Sequence, residues 1–186
     1  MFLGDIMPYA TTHILVAIIL IELFREYVVK NNQKFPRYYI LIAAIGGIIP
    51  DLDIALYYIL YFFGFTFEQV HRTFLHTLFV PFILLLIGIF LWKFEIKNSK
   101  VGKMHMTLPV IFFILSAGSL LHLILDASLA GAIMPFYPIS NFAVELNLIN
   151  IFPLGLRDLV LPTIDGILLL FWIFWMEFKL KISDYF

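Results

Sequence analysis

Five stretches of this chain are apolar on every side, and most of its charges fall in the joints between them. A helix needs about 20 mostly apolar residues to cross a bilayer. Residues 9–29, 38–63, 76–94, 108–129 and 159–178 approach or exceed that length. The pattern predicts an all-α, polytopic integral membrane bundle of about five transmembrane helices, forming one domain over residues 1–186. The first stretch is the weakest, because Glu22, Arg25 and Glu26 interrupt its second half and make it short or tilted with those charges at the interface. The second contains Gly46-Gly47 and Pro50, which predict a kink or an unwound segment.

Composition sharpens the class. Hydrophobic residues make up 62% of the chain and charged residues 13%, against about 45–50% and about 25% in soluble domains. The absence of cysteine excludes thiolate metal sites, disulfides and thiol nucleophiles. A net charge of −1 gives no footing for nucleic acid. The start, MFLGDIMPYATTH, has no basic region ahead of its apolar run, so the first segment is expected to be retained and not cleaved as a signal peptide. Arg25, Lys30, Lys34 and Arg37, then Lys93, Lys97, Lys100 and Lys103, then Lys179 and Lys181 all fall on one side of the predicted bundle; only Arg72 and Arg157 fall on the other. The positive-inside rule places the N-terminus outside and the C-terminus in the cytoplasm of a cell (inner) membrane.

Against this background, ionisable residues inside apolar sequence are expensive and read as functional. They are His13, Asp51, Asp53, His71, His76, His122, Asp126 and Asp165. The predicted topology carries most of them to within roughly the outer third of the bilayer at about 1.5 Å per residue, with Asp51 and Asp53 deeper unless the Pro50 break lifts them. Neutral imidazole and carboxylate are the ligand set of zinc and related divalent ions. His122 and Asp126, four apart, share a helix face and can grip one ion or bridge two. Asp51 and Asp53 cannot share a helix face, so either Pro50 turns both inward or one alone is a ligand. His71 and His76 lie about 140° apart on a helix and converge only if the helix begins between them. Asp165 is a ligand or the partner of a ligating His. Arg72 either clamps a phosphate or snorkels to headgroups. Glu145 and His105 read as solvated.

Several pieces of the chain together resemble a known family. They are Thr11-Thr12-His13, Pro50-Asp51-Leu52-Asp53 after a glycine pair, His71-Arg72 with His76-Thr77, His122 with Asp126, and Pro135-Phe136-Tyr137-Pro138. The set looks like the YdjM-like family of inner-membrane proteins. That resemblance implies a metal-dependent hydrolase, and the family name carries LexA binding as a protein partner. The order His, Asp, His, His-x-x-x-Asp also resembles the zinc phospholipase C and single-strand nuclease fold. Carried over, that likeness implies His13, Asp53 or Asp51, His71 or His76, His122 and Asp126 as zinc ligands. It also implies an aspartate of the second motif to orient or deprotonate the attacking water. Ala132 stands where that fold has a further His, so two ions are expected and not three, with manganese as the alternative to zinc.

The expectation from sequence is therefore a phospholipase-like metallohydrolase acting on a lipid or lipid-linked phosphoester at the outer leaflet, with Asp51, Asp53 and Arg72 as its catalytic residues. The rival readings are a divalent-cation transporter, a haem-ligating electron carrier and a non-catalytic partner-binding membrane protein. Oligomeric state is not legible in the sequence.

Overall fold

In the computed structural model, which describes residues 10–31, 34–94, 100–101, 106–129 and 131–181, helices occupy all five apolar stretches. Helix α1 (Ala10–Leu23) runs on without interruption as a π-helical turn over Phe24–Val29. The second stretch is two helices, α2 (Tyr38–Ile48) and α3 (Leu52–Leu60), bent by 45° at the break between them. A single turn, α4 (Phe67–Val70), precedes α5 (Phe79–Lys93). A two-residue antiparallel ladder, β1 (Lys100–Val101) with β2 (Met106–Thr107), leads into α6 (Leu108–Leu129). The chain closes with α7 (Arg157–Leu180). Helices α6 and α7 are each long and apolar enough to cross a membrane, and the bent α2–α3 pair makes a third candidate. Helix α5 is as apolar but has 15 residues. His105, read above as solvated, lies outside the described residues.

Helix α6 is the axis, with α1, α2 and α5 packed around it. Small residues set these contacts, as expected where no water drives helices together. A Cβ on Gly118 would lie 2.8 Å from the Gly46 carbonyl carbon, and one on Gly47 would lie 2.9 Å from the His13 oxygen. The α2 backbone therefore rests directly on both α6 and α1. Ser116 of α6 donates to the Pro81 carbonyl of α5 at 2.7 Å. Helix α7 stands at the edge, where Leu161 is its one buried position among the described residues. The outer faces of α5 and α7 are bare hydrocarbon, including Phe82, Ile83, Phe90, Leu170, Phe171 and Phe174. An apolar surface of that extent suits lipid and not water.

Two of the three charges inside the first stretch are paired within the protein. Glu22 and Arg25 are buried by protein, with Arg25 Nη1 3.3 Å from Glu22 Oε1 and Arg25 Nε donating to the Phe35 carbonyl at 3.0 Å. The three-residue spacing puts both on one helix face, so the two charges pair inside the bundle.

The glycine contacts yield a stability prediction. Gly118→Ala forces a methyl group onto the α2 backbone and is expected to cost about 1–3 kcal/mol. Gly166→Ala, whose Cβ would meet nothing within 4 Å, is expected to be neutral. Thermal unfolding of the two variants in one detergent checks the contrast.

Candidate metal centre

The break after α2 builds one wall of the site. Pro50 has no amide hydrogen and ends the helical ladder. The Gly47 carbonyl then accepts from the imidazole of His122, with Nδ1 to oxygen 2.7 Å. A carbonyl can only accept, so this bond places the ring proton of His122 on Nδ1 and leaves the Nε2 lone pair free. The same break puts Asp51 just ahead of α3 and Asp53 in its first turn, and both carboxylates face the cluster.

His71 and His76 lie in an irregular stretch between α4 and α5. Helix α5 begins beyond both, so the two rings meet because the chain between them is not helical. Local hydroxyl bonds hold that shape: Thr73 Oγ1 donates to the Val70 carbonyl at 2.6 Å and Thr77 Oγ1 to the Phe74 carbonyl at 3.0 Å. Arg72 takes a left-handed φ of 59° and donates its amide to Asp53 Oδ2 at 3.0 Å.

Seven of the eight His and Asp residues singled out in the sequence meet here. Their ligand atoms form three groups that share members: His13, His122 and Asp126; Asp51, His76 and His122; Asp53, His71 and His76. At the centre, His122 Nε2 and His76 Nε2 are 3.3 Å apart. Asp51 Oδ1 lies 3.6 Å from the Nε2 of His76 and 3.5 Å from that of His122. Asp126 Oδ2 lies 3.4 Å and 3.5 Å from the same two atoms. Around a tetrahedral zinc ion with bonds of about 2.0–2.1 Å, ligand atoms sit about 3.4 Å from one another. His13 completes the upper group, its Nε2 3.3 Å from Asp126 Oδ1 and its ring stacked on His122 at 3.7 Å.

Asp51 and Asp53 have different surroundings. Asp53 is 1% exposed and holds two imidazoles, with Oδ1 3.0 Å from His71 Nδ1 and Oδ2 2.9 Å from His76 Nδ1. The His76 contact lies off the line of a straight N–H bond, yet a carboxylate that close favours the proton on Nδ1 and bares Nε2. The Asp51 side chain is 17% exposed, the most open of the carboxylates in the cluster.

The residues fit a cation. Two imidazole nitrogens face each other at 3.3 Å with carboxylate oxygens 3.4–3.6 Å from them, an arrangement that positive charge between them would satisfy. Three buried or half-buried carboxylates share the space, and the nearest guanidinium, Arg72, has its Nε 4.0 Å from Asp126 Oδ2. Surplus negative charge in an apolar bundle is costly without a compensating cation. His13 Nδ1 and His71 Nε2 are buried with no protein partner, leaving donor or acceptor capacity unused.

Asp165 is not drawn into these groups. Its Oδ1 accepts from the Thr12 hydroxyl at 2.5 Å, tying α7 to the residue beside His13. Glu145 stays on an exposed loop and accepts from the Asn147 amide at 3.0 Å. The sequence reading missed two glycines. One is Gly47, through its carbonyl; Gly-Gly followed by Pro was the available signal. The other is Gly131, at φ 102°, where a Cβ would sit inside the Arg72 guanidinium. No local pattern marks that position.

A family model described as YdjM inner membrane protein matches residues 7–182. The chain belongs to that family, and with it to the inner membrane. No curated protein and no solved structure matches it.

The geometry separates ligand candidates from their supports. His122→Ala and Asp126→Asn are expected to lose bound divalent metal, while Asp165→Asn, whose side chain can still accept from Thr12, is expected to keep it. Elemental analysis of detergent-purified protein after zinc reconstitution checks all three against wild type.

Proposed function

We propose that this member of the YdjM inner membrane protein family is a metal-dependent phosphoesterase acting on a lipid or lipid-linked headgroup. The observation that carries the reading is the pair of Nε2 atoms of His76 and His122, 3.3 Å apart and each 3.4–3.6 Å from an Asp51 and an Asp126 oxygen, beside the Arg72 guanidinium. Zinc is the ion favoured by this ligand set, with manganese as the alternative. A divalent ion held there lowers the pKa of water and offsets negative charge developing on a phosphoryl oxygen.

The chain's own residues divide the remaining work. His122 and His76 would hold the ion through Nε2, kept in that tautomer by the Gly47 carbonyl and by Asp53. Asp126 joins His13 to the same group. Asp51, on the open side, is the base that accepts a proton as the water oxygen bonds to phosphorus; the ester P–O bond breaks, and that proton passes to the leaving alcohol oxygen. Arg72 presents a planar fork suited to phosphate oxygens. Five membrane crossings with the N-terminus outside would set the site in the outer leaflet, where headgroups and water reach it and soluble cytoplasmic substrates do not.

A second reading is a transit site for a divalent ion, favoured by the break between α2 and α3, since transporters bind ions at interrupted helices. It uses the same ligands and predicts metal uptake into vesicles that His122→Ala abolishes.

The hydrolase reading predicts release of phosphate or a phosphorylated headgroup from a panel of phospholipids and lipid-linked phosphates by zinc- or manganese-loaded protein, with no vesicle uptake. Asp51→Asn is expected to lower kcat by about 10²–10⁴. Arg72→Lys keeps the charge but loses the fork, and is expected to lower kcat/KM. A loaded wild-type protein that releases nothing from the panel would falsify the reading.

A further inference from the structure

An apolar groove of about 500 Å³ lies between the end of α6 and the first half of α7, floored by the turn at residues 148–151. Its walls include Leu129, Ile149, Phe152, Val160, Ile164 and Ile167. Its volume falls within the about 300–1,000 Å³ usual for small-ligand sites. Thr163 is its one polar residue, and that hydroxyl already donates to the Leu159 carbonyl at 2.6 Å. Nothing in the lining is left to bond a polar ligand, so the chemistry that fits is hydrocarbon.

Two walls of the groove lead toward the metal centre. Leu129 is three residues beyond Asp126 on α6, on the same helix face. Leu161 lines the groove and is one turn from Asp165, which holds Thr12 beside His13. The floor is pinned by Arg157, whose Nε donates to the Phe152 carbonyl at 3.0 Å and whose Nη2 donates to that of Asn150 at 3.2 Å. The groove is thus a preformed recess at the same end of the bundle as the ligand cluster, beside the lipid-facing side of α7.

We propose that this groove takes one acyl chain of a phosphate-bearing membrane lipid whose headgroup reaches the metal centre. The inference rests on the phosphoesterase reading for the headgroup's fate, but not for the groove's occupancy. Sites of this kind separate chain recognition from headgroup chemistry: burial of the tail supplies binding, while Arg72 and the ligand cluster receive the phosphate.

The test uses the full chain, zinc-loaded, in phosphatidylcholine vesicles containing phosphatidic acid with a diazirine in one acyl chain. On illumination, labelling of residues 148–167 should saturate as the probe fraction rises. Labelling of the lipid-facing side of α5 should rise in proportion to the probe, as it does for bulk lipid. Ile164→Trp should remove the saturable component, and so should Ile167→Trp, which fills the groove from an exposed position and leaves the packing of α7 intact. Unlabelled phosphatidic acid should compete better than diacylglycerol, with Arg72→Lys shrinking that difference. Labelling of 148–167 that stays proportional to the probe would overturn the proposal. So would no labelling there, the result expected if a second copy or another segment of the chain covers the groove, or equal competition by the two lipids. Because labelling needs no turnover, a protein that cleaves no phosphoester yet labels saturably would sink the hydrolase reading alone.

Discussion

Where α2 crosses α6 the two backbones touch, because glycine stands on both sides of the contact at Gly46 and Gly118. That approach brings the Gly47 carbonyl within 2.7 Å of His122. A side chain at either crossing position would hold the helices apart and withdraw the acceptor that sets the ring's tautomer. The Pro50 break contributes twice, by ending the ladder beside that carbonyl and by turning Asp51 and Asp53 into the bundle. The ligand cluster is therefore a consequence of how closely two helices pack. Its precision comes from backbone, which moves less than any side chain that might have replaced it.

The cluster also carries an electrostatic demand. Asp51, Asp53 and Asp126 sit among His13, His71, His76 and His122 with Arg72 as the nearest guanidinium, in a bundle whose outer faces are hydrocarbon. Elsewhere among the described residues, the buried charges Glu22 and Arg25 are paired with each other. The contrast is between charges paired one to one at one site and three carboxylates gathered among imidazoles at the other, a set that could hold a cation. Within the set, burial assigns different work to neighbours. Asp53 braces His71, His76 and the Arg72 backbone from inside, while Asp51 faces the opening.

Much of the helical layout was legible. The boundaries of the second and fourth apolar stretches match the sequence reading, because a continuous apolar run in a membrane has no lower-energy choice than helix. The candidate ligands were legible for a related reason: an ionisable residue in such a run is conspicuous. Among the described residues, only α6, α7 and the bent α2–α3 pair are long and apolar enough by themselves to qualify as spans, since α1 is interrupted by its charges and α5 is short.

The sequence by itself determined that this is a helical membrane protein carrying an acidic and imidazole-rich set, and it paired His122 with Asp126 through their spacing on one helix. Tertiary structure decided everything that depends on residues far apart in the chain. It set which atoms of those rings face one another, it gave Asp51 and Asp53 different surroundings, and it placed Asp165 on Thr12 and outside the ligand groups. It also made Gly131 the seat of the Arg72 guanidinium. The physical reason is that periodicity encodes which side of a helix is buried. Tautomer, ligand convergence and charge compensation are set by distances of 3–4 Å between segments, which only the packing of glycine against backbone establishes.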